Sequence, residues 1–117
     1  LVVNGHCPDT DNIRTYIYTR SNSEDPQFVT LDNITTSLYK PDRPNKLIIH
    51  GYNADMYQDS LQQIKTEYLK LVDANVWTVN WPSLCKGPCY PFAVYNLGHV
   101  GQCLAQLVVG LRRLVGT

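Results

Sequence analysis

The stretch NKLIIHGYNAD, residues 45–55, runs from a proline-containing loop through a short apolar segment into a His-Gly-Tyr exit. A continuous apolar run of this length is typical of a β-strand that is covered on both faces. In open α/β sheets, sites form where the strands reach their carboxyl ends. The stretch therefore predicts a buried strand whose exit is a candidate functional site.

A helix and a second strand are predicted next along the chain. Residues 55–72 place apolar side chains at helical spacing, with Asp55 and Gln58 as candidates to cap the start. The predicted inner face is Tyr57, Leu61, Ile64, Tyr68, Leu71 and Val72, and the predicted outer face is Gln62, Gln63, Lys65, Thr66 and Glu67. VWTVNW, residues 76–81, predicts the following strand, so the order is β-α-β with parallel strands.

The flanking segments complete an α/β pattern. Residues 12–20 and 28–31 predict two further strands, and KPDRPN, residues 40–45, predicts a rigid loop because its prolines fix φ. A long second helix follows the loop at 82–91, and its three glycines indicate close approach to a sheet. Its predicted buried stripe is Val100, Cys103, Leu104, Leu107, Val108, Leu111, Leu114 and Val115, and its glycines are Gly98, Gly101 and Gly110.

Composition limits the classes of protein. The chain has 117 residues, 44% of them hydrophobic, which suits one domain or part of one. Ten basic and ten acidic residues give zero formal charge, so we expect no nucleic-acid partner. No apolar run approaches the roughly 20 residues of a membrane span. Because Leu1 is not an initiator methionine, we expect a mature or trimmed chain.

Cysteines and one sequon indicate the secretory pathway. The four cysteines are Cys7, Cys85, Cys89 and Cys103, an even number that favours two disulfides, although the residues alone leave three connectivities open. Asn33 begins an Asn-Ile-Thr glycosylation sequon. Together these features predict a secreted, disulfide-bonded glycoprotein.

His50, Gly51 and Tyr52 are the candidate site. A backbone N–H just after such a strand serves as an oxyanion donor in α/β hydrolases, and here it would be the amide of Tyr52. Gly51 would allow a tight turn and close approach of a substrate. The alternative is that His50 and Gly51 only form a strand-to-loop turn.

Other catalytic chemistry finds little support in the sequence. None of the five serines lies in Gly-x-Ser-x-Gly, and Ser83 follows a strand without an immediate helix. The three histidines lack metal-ligand spacing, and His99 is predicted to be a satisfied or surface helix residue. PDTDN, residues 8–12, is predicted to be a solvated turn and not a calcium loop. We therefore expect no metal, no cofactor and no complete catalytic set in this chain.

Four segments, in order, resemble the N-terminal part of the pancreatic-lipase family, particularly its insect lipase and phospholipase A1 branches. They are TYIYTR at 15–20, KLIIHGYNAD at 46–55, VWTVNW at 76–81 and YPFAVYNLGHVGQCLAQLV at 90–108. The last resembles the family helix patterned on Ala93, Asn96, Val100, Gly101 and Ala105. Asn80 departs from the family pattern, which commonly has Asp before Trp.

The resemblance implies that residues 1–117 are the N-terminal portion of one α/β-hydrolase domain with a mixed, mostly parallel sheet. The nucleophile Ser, Asp and His would lie beyond Thr117, and the remainder of the domain would be the main partner. The activity implied is secreted ester hydrolysis of the triacylglycerol lipase or phospholipase A1 type, on a lipid ester or lipid surface. A silent, yolk-protein-like storage or binding protein, one chain of a processed complex, and a free-standing interaction domain are the alternatives.

The resemblance also implies a disulfide pattern. In the wasp phospholipase branch an N-terminal cysteine is tied to the loop after the Asp-Trp strand, which here corresponds to Cys7 with Cys85. Cys89 would then pair with Cys103. Cys7 with Cys89 and Cys85 with Cys103 stays open as the alternative.

Overall fold

The structure is a computed structural model that describes residues 5–52, 54–82 and 90–115, without the side chains of 90–94 and 115. Within these ranges it has four strands, two α-helices and two short 3-10 turns, Arg20–Asn22 and Ile34–Thr36. The main elements in chain order are β1 (Arg14–Tyr18), β2 (Gln27–Phe28), β3 (Asn45–Ile49), α1 (Asp59–Leu71), β4 (Asn75–Asn80) and α2 (Tyr90–Val115).

The four described strands form one mixed sheet in the order β2-β1-β4-β3. The predicted β3-α1-β4 unit is confirmed, because β3 and β4 are parallel with Ile48 opposite Thr78. β1 is antiparallel to both β4 and β2. In the described sheet two of the three strand pairs are thus antiparallel, so it is mixed but not mostly parallel. A parallel pair needs a crossover connection, and α1 is the helix that supplies one between these strands.

β4 is one of the two interior strands of the described sheet and is buried on both faces. Trp77 and Val79 face clusters that include Val100, Cys103 and Leu111 of α2. Val76 faces the opposite cluster, with Tyr18, Ile48, Met56 and Leu69. Alternate residues of a strand point to opposite faces, so Val76 on one face and Trp77 and Val79 on the other fit a strand between two helices.

β3 differs from its prediction as a strand covered on both faces. Ile48 is buried beneath α1, whereas Leu47 and Ile49 on the other face are 43% and 46% exposed. Leu47 instead lines an open groove of about 410 Å³ against Leu104 and Leu111 of α2. β3 lies at the edge of the described sheet, where α2 covers its second face incompletely.

α1 is rotated relative to its predicted orientation. Leu61 and Tyr68 of the predicted inner face are partly buried against the core, as predicted, whereas Ile64 and Leu71 are exposed. The fully buried residues of the helix are Lys65 and Leu69. The Lys65 side chain is 1% exposed; its Nζ donates to the carbonyl of Ser23 and lies 4.7 Å from the centroid of the Tyr18 ring. The Ser23 carbonyl, the Glu24 carboxylate at 3.4 Å and an aromatic face thus satisfy the ammonium group, an arrangement that hydrophobic periodicity does not reveal.

α2 matches its predicted stripe only in part. Val100 and Cys103 are buried, but Val108 and Leu114 towards its C-terminal end are exposed. The prediction for the glycines is wrong at Gly98 and Gly101, because a methyl group added at either would meet nothing within 4 Å. At Gly110 the helix is approached closely, but by a side chain and not by a strand: an added methyl group would overlap Leu31, which follows β2. Neither helix described by the structure has the length and apolarity needed to cross a lipid bilayer.

Asn75 fixes the proline-containing loop before β3. Its fully buried side chain accepts a hydrogen bond from the Lys40 amide at 2.8 Å and donates one to the Lys40 carbonyl at 2.7 Å. The Asn75 amide also donates to the Pro44 carbonyl at 2.9 Å. These bonds satisfy both backbone groups of Lys40 and align the start of β3 with the start of β4.

The disulfide pairing corrects both sequence-based alternatives. Cys7 is bonded to Cys103, with their Cα atoms 5.2 Å apart, so neither Cys7–Cys85 nor Cys89–Cys103 forms. The reason is that the N-terminal segment lies against α2, where Asp9 contacts His99 one helical turn before Cys103. Cys85 and Cys89 lie outside the described residues.

We predict that peptide mapping without reductant will link Cys7 to Cys103. Trypsin leaves Cys7 in a fragment ending at Arg14, and chymotryptic cleavage within 90–97 separates Cys89 from Cys103. Replacing both Cys7 and Cys103 with alanine should lower the free energy of unfolding by about 4 kcal/mol, because the bond closes a long loop in the unfolded chain. A Cys7 fragment bound to Cys85 or Cys89 would contradict this pairing.

Candidate functional site

The candidate site lies where β3 and β4 end. Because these two strands are parallel, their carboxyl ends meet at the same edge of the sheet. His50, Gly51 and Tyr52 leave β3 at this edge, and Trp81 directly follows β4. The predicted residues are therefore brought together with one that the sequence analysis did not single out.

His50 joins the two strand ends. Its ring is stacked on that of Trp81, with the centroids 5.2 Å apart and the planes inclined by 19°. The Trp81 amide donates to His50 Nε2 at 2.9 Å, and the Trp81 indole N–H donates to the His50 carbonyl at 3.2 Å. His50 is only 2% exposed, so these contacts lie in the protein interior.

These contacts define the tautomer of His50. Since Nε2 accepts a hydrogen bond from an amide N–H, it carries no proton. Nδ1 therefore carries the proton, and its N–H donates a hydrogen bond to the Gly51 carbonyl at 3.0 Å. Both ring nitrogens are engaged, which makes His50 a structural element of the site and not a general base.

Burial also keeps the imidazole neutral. Desolvation lowers the pKa of His50, and it outweighs the hydrogen bond to Gly51 and the charge of Asp55, which act to raise it. A buried imidazolium would in addition lose the acceptor at Nε2. The ring is thus held in its neutral form by its surroundings.

Gly51 and Tyr52 are exposed beside this buried residue. A methyl group added to Gly51 would meet nothing within 4 Å, so the space next to the turn is open. Tyr52 is 39% exposed. A ligand therefore has room to approach the Gly51–Tyr52 peptide, which is the requirement that the oxyanion hypothesis places on this turn.

A second contact fixes the far side of the same loop. Met56 is fully buried, and its amide donates to Asn80 Oδ1 at 3.1 Å. Asp55 accepts from the Tyr57 amide at 2.9 Å, so it closes a turn before α1 instead of capping the helix, whose N-cap is Gln58. The loop after β3 is thereby attached at both sides to the end of β4.

Asp9 of the predicted solvated turn at 8–12 instead has a structural role, because its side chain is largely buried against His99. Asp9 Oδ2 lies 2.8 Å from His99 Nε2, which confirms His99 as a satisfied helix residue. Burial acts to raise the pKa of Asp9, but hydrogen bonds from His99 and Asn12 lower it. His99 also lies near both disulfide sulfurs, yet disulfide-bonded Cys7 and Cys103 offer no thiolate to a metal.

The remaining predicted residues lie apart from the strand ends or outside the described part. Ser83 is outside the described residues, and the Ser37 hydroxyl donates to the Ile34 carbonyl. The Asn33 side chain is half-buried; it accepts from the Thr30 amide at 2.7 Å and donates to the Phe28 carbonyl at 3.1 Å. Glycosylation of Asn33 stays a prediction.

His50 predicts a pH dependence of stability. In the unfolded chain it titrates near its ordinary pKa of 6.5, whereas its folded pKa is lower. Above about pH 6.5 its contribution is fully retained, and below it the unfolded chain binds a proton that the folded chain excludes. The free energy of unfolding should therefore fall as the pH decreases from about 6.5 through the folded-state pKa.

Urea unfolding between pH 5 and 8 measures this effect in the full-length protein. His50→Gln removes the titration while keeping an acceptor, so its stability should decrease less steeply with acid. The rest of the sequence is the same in both proteins, so the comparison isolates position 50. If the free energy of unfolding changed equally with pH in the two proteins, His50 would not titrate as proposed.

Asn80 gives a separate prediction about the loop. Asn80→Leu would leave the buried Met56 amide without its acceptor and should lower the free energy of unfolding by about 1–3 kcal/mol. Asn80→Asp keeps an acceptor oxygen, and we expect it to be destabilised less. Thermal or urea unfolding of the two variants tests whether Asn80→Leu is the less stable. Equal losses of stability in the two variants would contradict the prediction.

Comparison with known proteins shows the family of this chain. The family model described as Lipase matches residues 3–116. Over 111 residues, the chain is 30% identical to pancreatic triacylglycerol lipase of Myocastor coypus and 28% identical to that of Oryctolagus cuniculus. Each match covers 93% of this chain and 24% of the relative, so the chain spans about a quarter of the length of these relatives. We conclude that this chain belongs to the lipase family.

Proposed function

We propose that this chain is the N-terminal part of a secreted, lipase-like ester hydrolase of the α/β-hydrolase fold. Its role is to supply the Tyr52 backbone N–H to the oxyanion formed during ester hydrolysis. The observation that carries the proposal is the His50-Gly51-Tyr52 turn at the carboxyl end of β3, attached through Trp81 to the end of β4. The two relatives are named as triacylglycerol lipases, which supports this class of reaction.

The chemistry requires groups that this chain does not supply. The sequence has no Gly-x-Ser-x-Gly motif, so the nucleophile Ser with its Asp and His would lie beyond Thr117. The serine oxygen would attack the ester carbonyl carbon while the His takes the serine proton, and the C=O π bond would open to leave an oxyanion. A preorganised donor at that position is worth roughly 3 kcal/mol in the transition state.

The exposed face of β3, at the edge of the described sheet, supports a further segment of the same domain as partner. Leu47 and Ile49 are exposed on β3, and the groove beside them is lined by Leu104, Leu107 and Leu111. Covering each exposed leucine or isoleucine would contribute about 1–2 kcal/mol, because half of the side chain is still in contact with water. The whole-protein substrate is proposed to be a triacylglycerol or a phospholipid ester, because the motifs resemble those of the insect lipase and phospholipase A1 branches.

Activity of the full-length protein tests the proposal. We predict hydrolysis of a water-soluble carboxylic ester and covalent labelling by a fluorophosphonate at a serine outside residues 1–117. Tyr52→Pro deletes the amide N–H and should lower kcat by about 100-fold or more, whereas Tyr52→Ala keeps the N–H and most of the activity. Comparable activity of the proline variant would contradict the role of this donor.

A silent storage or binding protein is the second candidate function. This candidate assigns the open apolar groove between β3 and α2 to a lipid ligand instead of a further segment of the domain, and it needs no catalytic group. It predicts no ester hydrolysis and no fluorophosphonate labelling of the full-length protein, together with retention of lipid. The labelling experiment therefore separates the two functions.

A further inference from the structure

The Gly51–Tyr52 peptide is held through its carbonyl. His50 Nδ1 donates to the Gly51 oxygen at 3.0 Å. The Gly51 C=O and the Tyr52 N–H belong to one planar trans peptide, so they point in opposite directions. Fixing the direction of the carbonyl therefore fixes the direction of the Tyr52 N–H.

His50 is itself held by the neighbouring strand. The Trp81 amide occupies Nε2 at 2.9 Å, and the stacked indole restricts rotation of the imidazole. With Nε2 as an acceptor, the one proton of the neutral ring is on Nδ1, where it faces the Gly51 carbonyl. The end of β4 thus selects the tautomer that binds the turn after β3.

We infer that His50 is a positioning residue whose Nδ1–H tautomer, imposed by Trp81, orients the Tyr52 N–H towards the reacting ester. This inference rests on the proposed function, in which that N–H is the oxyanion donor. Electrostatic stabilisation is largest when a donor is already aligned before charge develops. Because the space beside Gly51 is open, the peptide has room to turn once the hydrogen bond from His50 is removed.

Two variants of the full-length protein separate the two ring nitrogens. His50→Asn places a side-chain amide near the position of Nδ1, so it keeps a donor to Gly51 and loses the acceptor for Trp81. His50→Gln places its amide near the position of Nε2, so it keeps the acceptor and loses the donor. Each variant loses one buried hydrogen bond, which makes them a matched pair for stability.

The kinetic result should differ between the two variants. We expect His50→Asn to retain kcat within about 10-fold of the wild type and His50→Gln to lose about 100-fold, with KM nearly unchanged in both. A loss confined to kcat indicates an interaction made mainly in the transition state. If His50 had a purely structural role, kcat would fall by the same factor in both variants, in proportion to the decrease in their urea midpoints. That outcome would overturn the inference.

Nitrogen-15 NMR gives a readout that does not require activity. The His50 ring should show a protonated Nδ1 and an unprotonated Nε2, and the Tyr52 amide resonance should move further in His50→Gln than in His50→Asn. A proton on Nε2 would overturn the inference. A wild-type protein with neither esterase activity nor fluorophosphonate labelling would overturn the proposed function, and the NMR result would still decide whether His50 holds the peptide.

Discussion

The burial of β4 on both faces, with a paired strand on each side, is the constraint on which the rest of the described structure depends. Its backbone groups pair with β1 on one side and β3 on the other, so water is not needed to satisfy them. Its side chains alternate between α1 and α2 and thereby join the core clusters on the two faces. Every element that shapes the site is positioned relative to this strand.

The end of β4 holds the residues of the site in place. His50 is stacked on Trp81, and Met56 is bonded to Asn80, so the loop after β3 is attached at two places to the strand beside it. Loops usually hold functional groups less firmly than strands do. Here the side chains of His50 and Asn80 attach the loop firmly to the sheet, while Gly51 and Tyr52 stay exposed to a ligand.

Buried polar side chains hold several of these elements together. Lys65 binds a carbonyl and the face of Tyr18, and Asn75 satisfies both backbone groups of Lys40. A buried polar group is tolerated only when its hydrogen bonds are made, so each of these residues depends on a partner far away in the chain. Their positions are therefore decided by the assembled sheet and not by local periodicity.

The sequence by itself determined the β3-α1-β4 unit, the long second helix and the lipase-family pattern, because hydrophobic runs, helical spacing and a His-Gly-Tyr exit are local signals. Only the tertiary structure decided the inner face of α1, the Cys7–Cys103 pairing and the tautomer of His50. The physical reason is that each of the three depends on contacts between residues distant in the chain: Lys65 with the carbonyl of Ser23, the N-terminal segment with α2, and Trp81 with His50.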